Sequence, residues 1–105
     1  MELVNLTPHS INILQKMMIE PSGTVARCKE ITEDAGRVGS IPLIYRRYSD
    51  VEDLPAPKKD VFYIVSHMVR TALPERTDLL SPGSLLRDGD GNILGCTNFI
   101  INKLD

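Results

Sequence analysis

The most apolar run in the chain is Val61-Phe62-Tyr63-Ile64-Val65, whose length and β-branched content are typical of a buried strand. Ser66 follows this run and is one of the residue types that cap helices. A short apolar stripe at helical spacing comes next and consists of Met68, Val69, Ala72 and Leu73. Pro74 ends that pattern, so the sequence predicts a core strand followed by one short helix.

Strand patterns dominate the chain on both sides of this unit. Alternating or β-branched segments predict strands at residues 10–14, 24–31, 41–48, 84–87 and 93–101. Residues 36–40 are a predicted turn, and the Asp-Gly-Asp-Gly-Asn segment at 88–92 is the predicted turn of a hairpin. Pro42 places its strand at a sheet edge or delays its start, and residues 50–60 are predicted to form a surface loop.

Length and composition indicate one small globular domain that covers residues 1–105. The chain has 105 residues, of which 42% are apolar and 25% are charged, and this suits a single core without disulfide staples. We expect an α+β fold that is mostly β. It should contain about six strands, arranged as an antiparallel sheet or a small barrel, with one short helix.

The charge balance excludes general electrostatic binding to nucleic acid. Fourteen acidic and twelve basic residues leave a net charge of −2, whereas such binding needs a basic face. No segment approaches the roughly 20 apolar residues that cross a bilayer, and the start lacks the pattern of a secretory signal. Two cysteines without CxxC spacing suggest free thiols in a reducing compartment. We therefore expect a cytoplasmic protein that does not bind membranes.

Metal and cofactor sites find little support in the sequence. Three positions match a calcium-binding loop, namely Asp88, Asp90 and Asn92. Ile93 and Phe99, however, stand where that loop requires glycine and glutamate, and a hairpin turn explains the same residues. A zinc site would need both cysteines and both histidines to converge without paired spacing. We expect no metal, no cofactor and no catalytic residue set.

Arginine gives the better indication of function. Seven of the twelve basic residues are arginines: Arg27, Arg37, Arg46, Arg47, Arg70, Arg76 and Arg87. A guanidinium can bind two phosphate oxygens at once and can also stack on a nucleobase. The predicted helix after Ser66 adds backbone N–H groups that favour anions. Together these features favour a nucleotide-like ligand, although an arginine taken alone is commonly a surface ion-pair partner.

Five segments of the chain resemble a family of short phage and bacterial proteins. They are Asn5-Leu6-Thr7-Pro8-His9, Pro21-Ser22-Gly23-Thr24-Val25-Ala26-Arg27, Tyr63-Ile64-Val65-Ser66, Ala72-Leu73-Pro74-Glu75-Arg76-Thr77-Asp78-Leu79-Leu80, and Arg87-Asp88 through Ile93-Leu94-Gly95-Cys96. The resemblance extends over nearly the whole chain. Short phage proteins include sponges, which sequester nucleotide immune signals of the Thoeris and CBASS defence systems, such as cyclic ADP-ribose and cyclic oligonucleotides.

By analogy with those sponges, the resemblance implies a phage-type anti-defence protein that sequesters a nucleotide-derived signal without catalysis. It also implies a homo-oligomer with pockets near the subunit interfaces. The residues of these motifs that could contact such a ligand are Asn5, Thr7, His9, Arg27, Ser66, Arg76 and Asp78. The arginines and the helix start would bind phosphates, and the Asn, Thr and Asp side chains would bind ribose hydroxyls.

Two other functions are open at the level of the sequence. The chain could be a phosphodiesterase or related hydrolase that cleaves such a signal, with His9 as its acid or base. It could also be a protein-interaction module without a small-molecule pocket, in which the arginines are dispersed in solvent. Recovery of the intact ligand separates a sponge from a hydrolase, and an interaction module responds to no ligand.

Overall fold

A computed structural model describes residues 1–104 of the chain. The strands are β1 (Glu2–Asn5), β2 (Ile11–Ile13), β3 (Met17–Ile19), β4 (Glu30–Val38), β5 (Ile41–Tyr48), β6 (Val61–Ile64), β7 (Leu79–Pro82), β8 (Leu85–Arg87), β9 (Ile93–Cys96) and β10 (Phe99–Ile100). The helix α1 (His67–Ala72) lies between β6 and β7.

Strand β6 lies inside a four-stranded mixed sheet of order β1-β6-β7-β10. It runs parallel to both neighbours, with Val4 of β1 opposite Tyr63 and Leu80 of β7 opposite Ile64. Tyr63 belongs to the apolar cluster on one face of this sheet, and Ile64 belongs to the cluster on the other face. Because both faces are covered, the sequence of β6 is a continuous apolar run rather than an alternating one.

Two layers cover the faces of this mixed sheet. On one face, Val69 of α1 packs in the same buried cluster as Leu6 and Ala26. On the other face, Ile11 and Cys96 come from a second sheet of order β3-β2-β9-β8. The body of the protein therefore has three layers, which are α1, the mixed sheet and the second sheet.

Helix α1 is fastened at its start and along its buried side. Ser66 Oγ accepts a hydrogen bond from the Val69 N–H at 3.2 Å, as the sequence predicts for a helix cap. Arg70 is only 7% exposed, and its Nε donates to Ser81 Oγ at 2.7 Å while its Nη1 donates to Asn102 Oδ1 at 2.9 Å. The Arg70 guanidinium thus ties α1 to β7 and to the segment that follows β10.

Strands β4 and β5 form a separate two-stranded antiparallel hairpin, called here the hairpin arm. Every strand residue of the arm is exposed except the half-buried Ile31. The molecule measures 52 × 40 × 28 Å, and its radius of gyration is 16.6 Å. A compact domain of this length has a radius of gyration of about 13 Å, so the difference is consistent with an arm that projects from the body.

The arm corrects two sequence predictions. A turn is predicted over residues 36–40, but only Gly39 and Ser40 form it. Gly36 has a φ of +91° and lies at a register shift within β4, which is a β-bulge. The strand predicted over residues 24–31 is also displaced, because β4 begins only near the end of that range.

The predicted fold class, mostly β with one short helix, is confirmed. The arrangement of the strands differs from the expectation of one antiparallel sheet or a small barrel. Ten strands in place of about six form three sheets, and several of their pairs are parallel. Residues 93–101 form two strands, β9 and β10, rather than one. Over residues 1–104, no helix has the length and apolar character needed to cross a membrane.

Candidate functional site

A cleft of about 690 Å³ opens between the root of the hairpin arm and the body. Its walls come from the loop after β1, the segments that enter and leave the arm, and the cap of α1. The lining residues are Pro8, Val25, Ala26, Arg27, Cys28, Lys29, Ser49, Asp50, Glu52 and Ser66. Small-molecule sites commonly have volumes of about 300–1,000 Å³, so the cleft has room for a ligand of nucleotide size.

Backbone pairing at the root of the arm fixes these walls. Arg27 and Glu52 form an isolated antiparallel bridge, with N···O distances of 3.1 and 2.8 Å. Further along, Ser49 Oγ accepts from the Lys29 N–H at 2.7 Å, and the Ser49 N–H donates to the Lys29 carbonyl at 2.8 Å. These bonds hold the entering and leaving segments side by side, so their side chains line the same space.

Arg27 differs from the other arginines in the use of its guanidinium. The others donate to a carboxylate, a carbonyl or another side-chain acceptor of the chain; they are Arg37, Arg46, Arg47, Arg70, Arg76 and Arg87. Within residues 1–104, the side chain of Arg27 makes neither a salt bridge nor a hydrogen bond. Its forked donor group is therefore available to an anion in the cleft.

The cleft combines cationic, anionic and apolar surface. Lys29, two residues after Arg27, also lines the cleft and carries an ammonium group, and the paired segment contributes the carboxylates of Asp50 and Glu52. Apolar surface comes from Pro8, Val25 and Ala26. Guanidinium and ammonium groups bind phosphate oxygens, whereas carboxylates accept hydrogen bonds from hydroxyl groups. This donor and acceptor set suits a ligand that carries both phosphate and sugar.

The Cys28 thiol lies in the cleft but is not activated. Burial raises the pKa of the Cys28 thiol above its ordinary value. The thiolate is the nucleophilic form of cysteine, so this shift lowers the reactivity of Cys28 near neutral pH. Cys28 also packs against the buried cluster around Tyr63, which is consistent with a space-filling role.

The predicted ligand contacts Asn5 and Thr7 use their polar atoms inside the chain. Asn5 is buried, and its Nδ2 donates to the carbonyls of His9 and Ile19 at 2.8 and 3.0 Å. Its Oδ1 accepts from the N–H and the hydroxyl of Thr7 at 2.9 and 2.7 Å. These bonds shape the loop that brings Pro8 to the cleft, while His9 is exposed and does not line it.

Arg76 and Asp78 bind each other outside the cleft lining. The guanidinium donates to both carboxylate oxygens, at 2.7 and 2.8 Å, and also to the Pro55 carbonyl at 3.1 Å. The hydrogen bond from Arg76 lowers the pKa of Asp78 below its ordinary value, with a Coulombic contribution from the same partner. The pair thereby fastens the loop at residues 50–60 to the body.

The segment at residues 88–92 forms the turn between β8 and β9, as the sequence predicts. Asp88 Oδ1 accepts from the N–H groups of Asp90 and Asn92, both at 2.9 Å. The hydrogen bond from the Asn92 N–H is the main cause of a lowered pKa at Asp88. In the part of the chain that the structure describes, no three His, Cys, Asp or Glu side chains are grouped as metal ligands.

The cleft brings together Arg27 and Ser66 from the seven predicted contact residues. Sequence reasoning did not single out Lys29, Asp50 or Glu52. A signal for them was present, because the predicted strands at residues 24–31 and 41–48 flank the predicted turn at residues 36–40. A hairpin formed by these two strands brings its two ends together. The anion-binding contribution expected from the helix start is small, since α1 has only six residues.

Comparisons of the chain with protein-family models, with curated proteins and with solved structures gave no match. The resemblance to short phage and bacterial proteins therefore stays a prediction, as do the sponge function and the homo-oligomer.

Proposed function

We propose that the chain is a binding protein that captures a nucleotide-derived signal, of the ADP-ribose or cyclic nucleotide type, in the cleft at the root of the arm. The observation that carries this proposal is that Arg27 lines a cleft of about 690 Å³ while its guanidinium makes no salt bridge or hydrogen bond within residues 1–104. An unpaired arginine in a concave site is a ready receptor for a phosphate group.

The other lining residues give the ligand an orientation. Lys29 extends the cationic surface on the side of Arg27, and Asp50 and Glu52 offer acceptors for ribose hydroxyls. The hydroxyl of Ser66 accepts from the Val69 N–H, so its own hydrogen is free to donate to the ligand. Specificity for a phosphorylated sugar follows from this division into donors and acceptors.

Sequestration without chemistry is the activity that fits this residue set. The Cys28 thiol has a raised pKa, and His9, the predicted acid or base, does not line the cleft. Sequestration needs affinity rather than turnover, and the bridge at Arg27 and Glu52 makes the cleft largely pre-formed. The two free thiols suit a reducing compartment, so we place the activity in the cytoplasm, that of the host bacterium for a phage-encoded chain.

The test is a calorimetric titration of the full chain with ADP-ribose, cyclic ADP-ribose isomers and cyclic oligonucleotides. For a ligand that binds, Arg27→Ala should raise the dissociation constant about 10- to 100-fold, the loss expected for one charge-assisted hydrogen bond of about 1.5–3 kcal/mol. Arg87→Ala is the matched control, because Arg87 is also exposed and does not line the cleft. It should leave the dissociation constant unchanged.

The bound ligand is then released by heating and identified by chromatography. Recovery of intact ligand supports sequestration, whereas recovery of a cleaved product would indicate that the chain is a hydrolase. Failure of every compound to bind, or equal binding by the wild type and Arg27→Ala, would contradict the proposal.

A further inference from the structure

The hairpin arm is amphipathic, with one apolar and one polar face. Directly paired residues of an antiparallel ladder share a face, so the register assigns the paired side chains, and alternation along β5 assigns Leu43. One face carries Ile31, Glu33, Val38, Ile41, Leu43, Tyr45 and Arg47. The opposite face carries Glu30, Thr32, Asp34, Arg37, Pro42, Ile44, Arg46 and Tyr48. The first set, called here the apolar arm face, holds five apolar residues and a single ion pair between Glu33 and Arg47.

Nothing within residues 1–104 covers the apolar arm face. Its most exposed members are Val38, Ile41, Leu43 and Tyr45, at 61, 64, 39 and 58% exposure. A two-stranded hairpin alone in water is marginally stable at best, and it gains stability when a hydrophobic face packs against another layer. The length of the arm and the exposure of its apolar side chains therefore favour a partner that packs on this face.

The edges of the arm are poorly suited to binding a partner by strand addition. Pro42 lies in β5 and lacks a backbone N–H, and β4 is interrupted by the bulge at Gly36. Glu30, Glu33 and Asp34 add charge along β4. These features of the edges disfavour strand addition, whereas the face carries exposed apolar side chains, and this favours face-to-face packing.

The charge pattern of the apolar arm face matches a second copy of itself. One acid and one base give it no net charge, so it attracts neither a strongly acidic nor a strongly basic partner. About a two-fold axis, Glu33 of one copy can approach Arg47 of the other while the apolar residues stack. Face-to-face packing would bury the exposed parts of these apolar side chains on both copies, in an interface at the small end of the range for specific complexes.

We propose that two copies of this chain dimerise by stacking their apolar arm faces. The product is a two-layer unit of four strands, in which each hairpin supplies the layer that the other lacks. The small buried area makes the dimer reversible, with a dissociation constant in the micromolar range. This inference does not depend on the ligand of the cleft.

The test is sedimentation equilibrium of the wild type between about 1 and 200 μM. The mass should rise with concentration from the 11.7 kDa of one chain toward twice that value. Tyr45→Lys should raise the dimer dissociation constant at least about tenfold. Ile44→Lys is the matched control, because Ile44 is 58% exposed like Tyr45 but lies on the opposite face. It should dimerise as the wild type does.

Val38→Lys repeats the test at the far end of the arm, in case Tyr45→Lys disturbs the hairpin itself. Far-UV circular dichroism of each variant reports whether the strands persist. A wild type that stays monomeric over the whole concentration range would overturn the proposal. Equal loss of dimer in Ile44→Lys and Tyr45→Lys, or dimers that survive both Tyr45→Lys and Val38→Lys, would overturn it as well.

Discussion

Strand β6 and the hairpin arm are both rich in apolar residues, yet they lie in opposite environments. In β6, Tyr63 and Ile64 are buried between two layers of the same chain. In β5, all eight residues from Ile41 to Tyr48 are exposed. Apolar and β-branched residues therefore predict that a segment forms a strand, but they do not predict what covers it.

The two regions also differ in how they stabilise the molecule. A fully buried side chain such as Ile64 contributes about 1.5–3 kcal/mol through removal of its surface from water. An exposed side chain of the arm contributes little of this kind within a single chain. Substitutions that match in chemistry but differ in region are thus a direct way to test the comparison.

The largest difference is expected between two isoleucines. Ile64→Ala should lower the free energy of unfolding by about 3 kcal/mol, because it removes buried methyl groups and leaves a cavity. Ile41→Ala should change it by less than about 0.5 kcal/mol. Urea denaturation at low protein concentration, where the chain is monomeric, measures both values. Similar losses in the two variants would show that the arm is packed within a single chain.

Two arginines give the next contrast. Arg70→Ala should cost about 2–3 kcal/mol, since Ser81 and Asn102 lose their buried partner. Arg37→Ala on the arm should cost less than about 0.5 kcal/mol, because its bond to the Ser40 carbonyl is long and exposed. The same urea experiment applies, and Arg70→Lys should recover part of the loss. An unchanged free energy of unfolding in Arg70→Ala would show that the guanidinium does not hold α1 in place.

The smallest contrast concerns two ion pairs and their response to pH. Arg76 and Asp78 are 21 and 14% exposed, whereas Arg47 and Glu33 are 47 and 50% exposed. Asp78→Asn should cost about 1–2 kcal/mol at pH 7, and Glu33→Gln should cost less than about 0.5 kcal/mol.

The pKa of Asp78 is lowered in the folded chain from the ordinary value of 3.8. Its contribution to stability is therefore present above that value and is lost as the pH falls through the folded pKa. The difference between the wild type and Asp78→Asn should narrow as the pH falls below about 3.8, in melts followed from pH 7 to pH 2.5. A difference that stays constant over this range would contradict an ionised Asp78 as its source.

Local signals in the sequence predicted those parts of the fold that local interactions determine. The strand at residues 41–48 and the cap at Ser66 have the expected bounds and role, because residue type alone favours them. Strands β1, β3 and β7 were missed, since their short segments become strands only through pairing with β6 or β2. Most of β4 was missed for the same reason, because its Thr-Glu-Asp-Ala-Gly stretch has weak strand propensity and pairs with β5.

The candidate site was predictable to a similar extent. Arg27 was singled out because guanidinium groups bind phosphate, and this chemistry is visible in one residue. Arg76 is paired with Asp78, whereas Arg27 has no side-chain partner within residues 1–104, and this difference depends on distances that no local pattern encodes. Asp50 and Glu52 were interpreted as parts of a solvated loop, because their approach to Arg27 requires the whole hairpin to close.

The bridge between Arg27 and Glu52 means that the chain leaves and re-enters the body at one point. We therefore expect the amides of the arm to exchange with solvent while the body stays folded. The length of the arm can also change in evolution without a change in the body. Two residues added to each strand lengthen it by about 7 Å and keep every side chain on its face, whereas one residue added to each reverses the faces beyond that point.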